Sequence, residues 1–438
     1  MQWSNRAMLN WLIENISDSG GIMKELRKIK LGELVDFQTG PFGTQFSASE
    51  YVNEGIPVIN VKNIGVGMVI RENLDYISEQ TRDRLSQHIL KTGDIVFGRK
   101  GSVDRHAYIF QNENGWVQGS DCIRARKKTP VNMLFLSQYL EGNGVKKQII
   151  NAAVGSTMPS LNTDILEDIT VLLPNIEEQN RISVALKKID DKICLNSKIN
   201  DNLQQQAILL YDYWFTQFDF PDANGKPYYS SGNKMTWNNQ LKKNIPLSWK
   251  VKPLKAICEI CLGGTPSTTV SKYWNGSISW LNSGEIAQFP VVSSEKKITQ
   301  LGLENSPTKL MSKNTTVISI TGNIRASILA LDACANQSVV GILENEIFKS
   351  PFIYQNMLRL LKHYTSISTG NCQKHISKGA IEESLVCIPD NIVLKQYYSL
   401  SEPIYKQMHE IALENQHLTE LRDWLLPMLM NGQVTIKD

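Results

Sequence analysis

Gly155-Ser156-Thr157-Met158-Pro159-Ser160-Leu161-Asn162, running on to Leu172-Leu173-Pro174, has a counterpart later in the chain. The counterpart is Gly370-Asn371-Cys372-Gln373-Lys374-His375-Ile376-Ser377, running on to Cys387-Ile388-Pro389. Both glycine-to-proline spacings are 19 residues, and the two prolines lie 215 residues apart in a chain of 438. A repeat of this length decides the architecture, because each copy must then build the same supersecondary unit.

The match extends downstream. Past Pro174, Ile182, Leu186, Ile189, Ile193, Asn196, Asn200, Leu203, Ala207, Leu210 and Trp214 follow steps of four and three. This is the a/d seam of a helix that packs along one stripe. Past Pro389 the seam is Ile404, Met408, Ile411, Asn415, Leu418, Arg422, Leu425 and Leu429. Ile189, Ile193, Asn200, Leu203 and Leu210 correspond to Ile404, Met408, Asn415, Leu418 and Leu425 at the same offset of 215. A helix over about 177–215 would be on the order of 60 Å long. A single apolar seam needs a partner, and the obvious one is its own repeat. The seam alone fits a plain structural or dimerising coiled coil, with its Asn residues fixing register. A matched domain in front of each helix favours a rigid spacer between two readers.

Upstream, Leu31-Gly32-Glu33-Leu34 to Thr39-Gly40-Pro41 parallels Leu254-Lys255-Ala256-Ile257 to Leu262-Gly263-Gly264 at an offset of 223, so the second copy is shorter by eight residues. The ends match and the middles diverge, as expected of a shared frame with different surfaces. Ile56–Val61, Asp94–Phe97, Thr316–Ile320 and Ser338–Leu343 read as short strands after turn signals. Phe220 to Pro246 is rich in Asn, Gly, Lys, Ser and Pro and reads as a linker.

Composition sets outer bounds. The hydrophobic fraction of 42% and charged fraction of 20% suit sizeable globular cores. No run approaches the roughly 20 apolar residues of a membrane span, and the N-terminus lacks the features of a signal peptide. Seven scattered cysteines fit free thiols in a reducing cytoplasm. The formal charge of +3 is only mildly basic, so either the chain does not bind nucleic acid or partner subunits supply part of the attraction.

Catalytic signatures are missing. No Pro-Pro dipeptide exists to build the Asn/Asp-Pro-Pro-aromatic clamp of an adenine methyltransferase. Asn224-Gly225-Lys226-Pro227 lacks the hydroxyl of a phosphate-binding loop, and no Gly-x-Ser-x-Gly turn occurs. Glu295-Lys296-Lys297 has no convincing upstream Asp partner for nuclease chemistry. Cys258 and Cys261 form one pair where structural zinc needs four ligands, and they read as buried thiols. His363 and His375 could lie close in space, but no metal is expected.

The chain resembles the specificity subunits of type I restriction–modification systems. The resemblance rests on Leu31-Gly32-Glu33-Leu34, Gly40-Pro41-Phe42-Gly43 and Gly55-Ile56-Pro57-Val58-Ile59 in the first copy. In the second it rests on Pro246-Leu247-Ser248-Trp249-Lys250-Val251, Gly264-Thr265-Pro266-Ser267, Tyr273-Trp274 and Ile278-Ser279-Trp280. Ala335-Asn336-Gln337-Ser338, Pro174 with Glu178-Gln179 and Ile182, and Leu421-Arg422-Asp423-Trp424-Leu425-Leu426-Pro427 complete it. It covers about residues 24–438.

The resemblance implies an α+β chain of two mixed α/β target-recognition domains, each followed by a long helix, with the helices packed as an antiparallel coiled-coil spacer about a pseudo-two-fold. The implied divisions are an extension at 1–23, domain one at 24–173, the central spacer at 174–218, a linker at 219–248, domain two at 249–388 and the distal spacer at 389–438. Residues 5–16 could form a short amphipathic helix, or the extension could be unrelated to the rest. The implied partners are double-stranded DNA, two adenine methyltransferase (modification) subunits and, through them, helicase–nuclease restriction subunits, with no membrane. No cofactor is expected on this chain, S-adenosylmethionine belonging to the methyltransferase. The implied role is non-catalytic recognition of a split, asymmetric DNA site. A stand-alone nuclease or methyltransferase, and a protein-only coiled-coil adaptor, are the alternatives.

Arg and Lys suit guanine edges, and Asn and Gln suit adenine. In domain one the candidate readers are Arg99, Lys100, Ser102 and Arg105 in a glycine-bearing turn, then Lys62 and Asn63. Arg124, Arg126, Lys127 and Lys128 read as a solvated face or phosphate contacts. In domain two the matching turn offers Thr321, Asn323 and Arg325, with Gln373, Lys374 and Lys378 nearby. Each could instead be a surface polar residue or local cap. The two turns differ in sequence, so the two half-sites are expected to differ.

Overall fold

The computed structural model describes residues 16–18, 26–155, 159–369 and 374–436. They divide into two compact units. One takes in the chain up to Lys192 together with Leu418 onward, and the other is Ile193–His417.

In the first unit, a five-stranded sheet runs in the order Val35–Thr39, Cys122–Lys127, Ile95–Gly98, His106–Tyr108, Val66–Gly67. A four-stranded sheet follows the order Val117–Gln118, Ile56–Ile59, Asp75–Ile77, Tyr51–Val52. Ile59, Ile64, Leu90, Val96, Ala107, Ile109 and Cys122 cluster as a core. Strand Ile95–Gly98 is buried along its whole length, as its unbroken apolar run suggests.

In the second unit, Ile260–Leu262, Val339–Ile342, Thr316–Ser319 and Ala326–Ile328 form a four-stranded sheet, and Lys296–Ile298, Trp274–Leu281 and Ala333–Ala335 a three-stranded one. The expected strands are therefore present, three of them a residue or two shorter and the one expected at Asp94–Phe97 shifted by one residue to Ile95–Gly98.

The repeat persists to the level of strand register. In the first unit Arg27–Lys30 pairs antiparallel with Thr170–Leu173, Lys30 facing Thr170. In the second, Lys250–Pro253 pairs with Leu385–Ile388, Pro253 facing Leu385. Gly40 and Gly263, matched in sequence, share a physical reason. A Cβ on Gly40 would lie 1.9 Å from the Gly119 carbonyl oxygen, and one on Gly263 would lie 2.2 Å from that of Asn336. Only glycine lets the two backbones approach so closely.

The stretch expected to be a bare linker is folded. Met235–Asn238 and Lys243–Pro246 make a hairpin, and Phe220, Ile245 and Trp249 belong to the main apolar cluster of the second unit. Its polar composition came from turn residues, not from lack of structure. Of the N-terminal segment expected to be helical, residues 5–15 lie outside the described residues. Ile16 does not end a helix: Ile16–Asp18 is a strand paired antiparallel with Val434–Ile436.

The central helix spans Ile176–Tyr211 and the distal helix Asn391–Met430. Asn175 caps the first, its Oδ1 accepting from the Glu178 N–H at 2.9 Å, with Glu177 and Glu178 favourably placed in the first turn. Gly432, at φ +68°, follows the end of the second, a common stop for a helix. Within the second unit, Leu203 and Ala207 cluster with Tyr405, Met408 and Ile411. Asn196 Nδ2 donates to Asn415 Oδ1 at 2.8 Å and to Glu414 Oε2 at 2.9 Å. Higher numbers on one helix meet lower numbers on the other, so the pair is antiparallel. Within the first unit Asp190 meets Arg422 at 3.3 Å, and Ile182, Leu186, Ile189, Leu418, Leu425 and Leu429 are buried. Ile193, Leu210 and Ile404 on the seam are half-buried.

Candidate nucleic-acid interface

The turn carrying Arg99, Lys100, Ser102 and Arg105 closes the hairpin between Ile95–Gly98 and His106–Tyr108, where Phe97 faces His106. The turn carrying Thr321, Asn323 and Arg325 closes the hairpin between Thr316–Ser319 and Ala326–Ile328, where Ile318 faces Ala326. Their backbones are held in the same way. In the first, the Arg99 N–H donates to the Asp121 carbonyl at 2.8 Å, the Arg99 carbonyl accepts from Leu161 at 2.8 Å, and Gly101 donates to Pro159 at 3.0 Å. In the second, Ile320 donates to Ser338 at 2.8 Å, its carbonyl accepts from Ile376 at 3.0 Å, and Gly322 donates to Lys374 at 2.8 Å. Gly101 at φ +81° and Gly322 at φ +77° make the matching left-handed pivots.

The segments that clamp the turns are the two glycine-led motifs of the repeat. Ser160 bridges to both Lys100 and Val154, and His375 bridges to both Thr321 and Thr369. The sequence shows the motif and the turn in each copy but not that they are partners, since about 60 residues of unrelated spacing separate them in one copy.

On this common frame the side chains differ. Lys100, Ser102 and Arg105 are exposed, and Lys100 lies 3.6 Å from the equally exposed Asp121. Arg99 is half-buried, with its guanidinium 5.7 Å from the Phe42 ring centroid. In the second unit Asn323, Arg325 and Lys374 are exposed, while Thr321 Oγ1 lies 3.2 Å from His375 Nδ1. Neither Arg105 nor Arg325 has an ion-pair partner among the described residues. Gln373 lies outside the described residues. Lys378 stands apart from the turn on the short helix Lys378–Glu382, paired with Glu382 at 2.8 Å.

Two sequence expectations need correction. Asn63 is 0% exposed. Its Oδ1 accepts from the Asn60 N–H at 3.2 Å and its Nδ2 donates to the carbonyls of Ile70 and Glu72 at 3.1 and 3.2 Å. Its amide organises a turn and has nothing left for a base. Its neighbour Lys62 is half-exposed and pairs with Asp75 at 2.8 Å. The basic run is not a solvated face either. Arg124, 6% exposed, donates to Gln87 O and Gln38 Oε1. Arg126 grips Asp94 with two bonds of 2.8 and 2.6 Å, an internal bidentate pair. Only Lys127 and Lys128 of that run are exposed.

Phe42, Asp121 and Ser160 were missing from the expected readers. Phe42 is the one with a sequence signal, an aromatic between Pro41 and Gly43.

No group of three or more His, Cys, Asp or Glu among the described residues could hold a metal ion. Cys258 packs in one apolar cluster and Cys261 in another, so the pair does not converge. Burial pushes the Cys258 thiol up to about 12, the opposite of an activated thiolate. No described helix is long and apolar enough to cross a membrane.

A family model described as the type I restriction modification DNA specificity domain matches residues 23–205 and 246–396. The MjaIX type I restriction enzyme specificity subunit of Methanocaldococcus jannaschii is 24% identical over 434 residues, covering 96% of each chain. The HindI specificity subunit of Haemophilus influenzae is 19% identical over 402 residues, covering 79% of this chain and 87% of the relative. The crystal structure of a type I restriction–modification S subunit from M. genitalium shares the fold, with a TM-score of 0.60 at 14% identity over 94% of this chain and 97% of that one. The two family segments fill well over half of the chain, one falling in each copy of the repeat, so the resemblance read from the residues is borne out: this chain belongs to the type I restriction–modification DNA specificity family.

Proposed function

We propose that the chain is the non-catalytic subunit that reads a split, asymmetric site on double-stranded DNA. Each globular domain takes one half-site, and the paired helices set the interval between them. Two adenine methyltransferase subunits dock on it and bring S-adenosylmethionine, and restriction subunits join through them. The chain itself binds no cofactor.

One observation carries this reading. The same backbone frame presents Lys100, Ser102 and Arg105 in one copy and Asn323, Arg325 and Lys374 in the other. A constant frame with variable donors suits two readers of different base sequences. The small net charge of +3 fits a recognition subunit that shares phosphate binding with its partners.

The test is methylome sequencing of a host carrying the candidate methyltransferase, with and without this chain. A split adenine-methylation motif that depends on the chain is the expected result. Methylation by the chain alone would make it an enzyme. Partner binding without any DNA-sequence dependence would make it a protein adaptor.

A further inference from the structure

We propose that Phe42, with the Arg99 guanidinium over its ring, is a stacking wedge that enters the base stack of the half-site read by the first domain. The inference rests on the DNA-reading role proposed above and assigns that role an aromatic group.

Phe42 is 55% exposed, a large apolar surface at a turn otherwise lined by polar groups. Its loop is fixed at both ends. Gly40 donates to the Cys122 carbonyl at 2.9 Å and has no room for a side chain. Pro41 is buried, Gly43 turns the chain at φ +65°, and the Gln45 carbonyl accepts from Arg84, which also pairs with Glu50. A mobile loop could hide an aromatic ring by collapse, but this one holds it out.

The loop sits beside the reading turn. Arg99 follows the strand that leads into the turn, and its charge lies 5.7 Å from the Phe42 centroid, within cation–π range. Asp121, whose carbonyl holds Arg99, follows the Gly119 backbone on which Gly40 rests. Phe42, Arg99 and Lys100 therefore share one end of the unit.

An exposed ring braced by a cation matches the chemistry of a nucleobase stack. Apolar side chains inserted between base steps unstack them, and aromatic rings take any base face. An adenine-methylating complex has a use for such a wedge, because its target must leave the duplex stack. The second copy lacks it. Thr265, in the corresponding loop, is tied to Gln337, so unstacking by this device is expected at one half-site only.

The experiment uses the assembled complex with its methyltransferase and duplexes of the methylated motif carrying 2-aminopurine at steps of either half-site. Wild type should raise the fluorescence at one or more steps of the first half-site. Phe42→Ala should abolish that rise and weaken binding by roughly 5- to 150-fold, while Phe42→Trp retains both and the second half-site is unchanged. A wild-type complex that binds its motif without unstacking the first half-site overturns the proposal, as does a Phe42→Ala complex that behaves as wild type. Loss of methyltransferase assembly in Phe42→Ala would assign the ring to a protein contact instead. If wild type showed no sequence-dependent binding, the DNA-reading role would fail first, and the wedge with it.

Discussion

Arg105 and Arg325 leave their turns at matching ends of the two hairpins, exposed and without an ion-pair partner among the described residues. A guanidinium in that state keeps its full donor fork for a guanine edge or a phosphate. Replacing Arg325 by Ala should therefore relax one position of the second half-site, by roughly 1–3 kcal/mol if it reads a base. The first half-site should be untouched. Methylation of a library randomised at each half-site checks this, and a uniform loss across all sequences would reassign the residue to phosphate. Asn63 behaves in the opposite way. Asn63→Ala strips two part-buried carbonyls of their donor and the Asn60 N–H of its acceptor, so it should lower stability by about 1–3 kcal/mol and leave the motif unchanged, as a melting curve beside a methylome would show. These residues also mark what sequence reading can and cannot see. The glycine-pivoted turns between apolar strands were legible, because left-handed backbone demands glycine. Asn63, Arg124 and Arg126 were misread because polarity in a sequence carries no direction. Their partners, such as Asp94 and Gln38, are distant in the chain and become visible only when strands Val35–Thr39, Ile95–Gly98 and Cys122–Lys127 lie side by side.

Among the elements, the two long helices were the most legible, because a seam of alternating fours and threes has only one good reading. What the seam did not show was which Asn would pair. Asn200 and Asn415 are equivalent by repeat, yet Asn415 pairs with Asn196. An antiparallel pairing explains this: the repeat maps Asn196 with Asn415 onto Ile411 with Asn200. The buried Oδ1 of Asn200 accordingly has no hydrogen-bond partner among the described residues. Asn200→Leu should raise stability by about 1 kcal/mol, and Asn196→Leu should lower it by a similar amount or more. Denaturant midpoints compare the two, and equal effects would contradict the mapping. The hairpin strand His106–Tyr108 supplies a pH dependence. His106 is buried with Nε2 at 2.9 Å from Ser137 Oγ, and burial holds its imidazole down to about 4. The unfolded ring accepts a proton near 6.5 (roughly). A lowered folded value means that the stabilisation is present above the unfolded value and lost as pH falls from there toward 4, on the order of 3 kcal/mol in full. Glu141 acts in reverse. Burial, together with the charge of Asp190, pushes its carboxyl up to about 7, so that group favours the native state as pH falls through the same window. Comparing wild type with His106→Gln isolates the histidine: the variant should lose most of the destabilisation between neutral pH and pH ~4.

At the scale of the whole molecule, the repeat was legible because its ends match, and the interiors were not, because they differ. That difference is what a family of readers needs, and it gives the strongest test. Lys250–Pro253 and Leu385–Ile388 are neighbouring antiparallel strands, so the segment 249–388 leaves and rejoins the chain at one place. It can be exchanged for the corresponding segment of a relative without moving either junction. The graft must keep its packing on the helices, where Ile328 and Tyr354 inside it cluster with Leu203, Ala207, Tyr405, Met408 and Ile411. Phe348 and Phe352 inside it share a core cluster with Tyr211 and Trp214 of the central helix region and Tyr397 of the distal helix. A donor with small side chains at those two positions would leave a cavity that costs about 3–5 kcal/mol for each lost ring and would fail for reasons of packing. With that packing retained, the hybrid should methylate a motif whose first half-site and interval are those of this chain, and whose second half-site is the donor's. The helices that would set the interval, and the Lys100–Arg105 turn that would read the first half, are outside the exchanged segment. Methylome sequencing of the hybrid strain gives the answer directly. A motif altered in both halves would mean that the copies do not read independently, and the division of labour argued from their shared frame would be wrong.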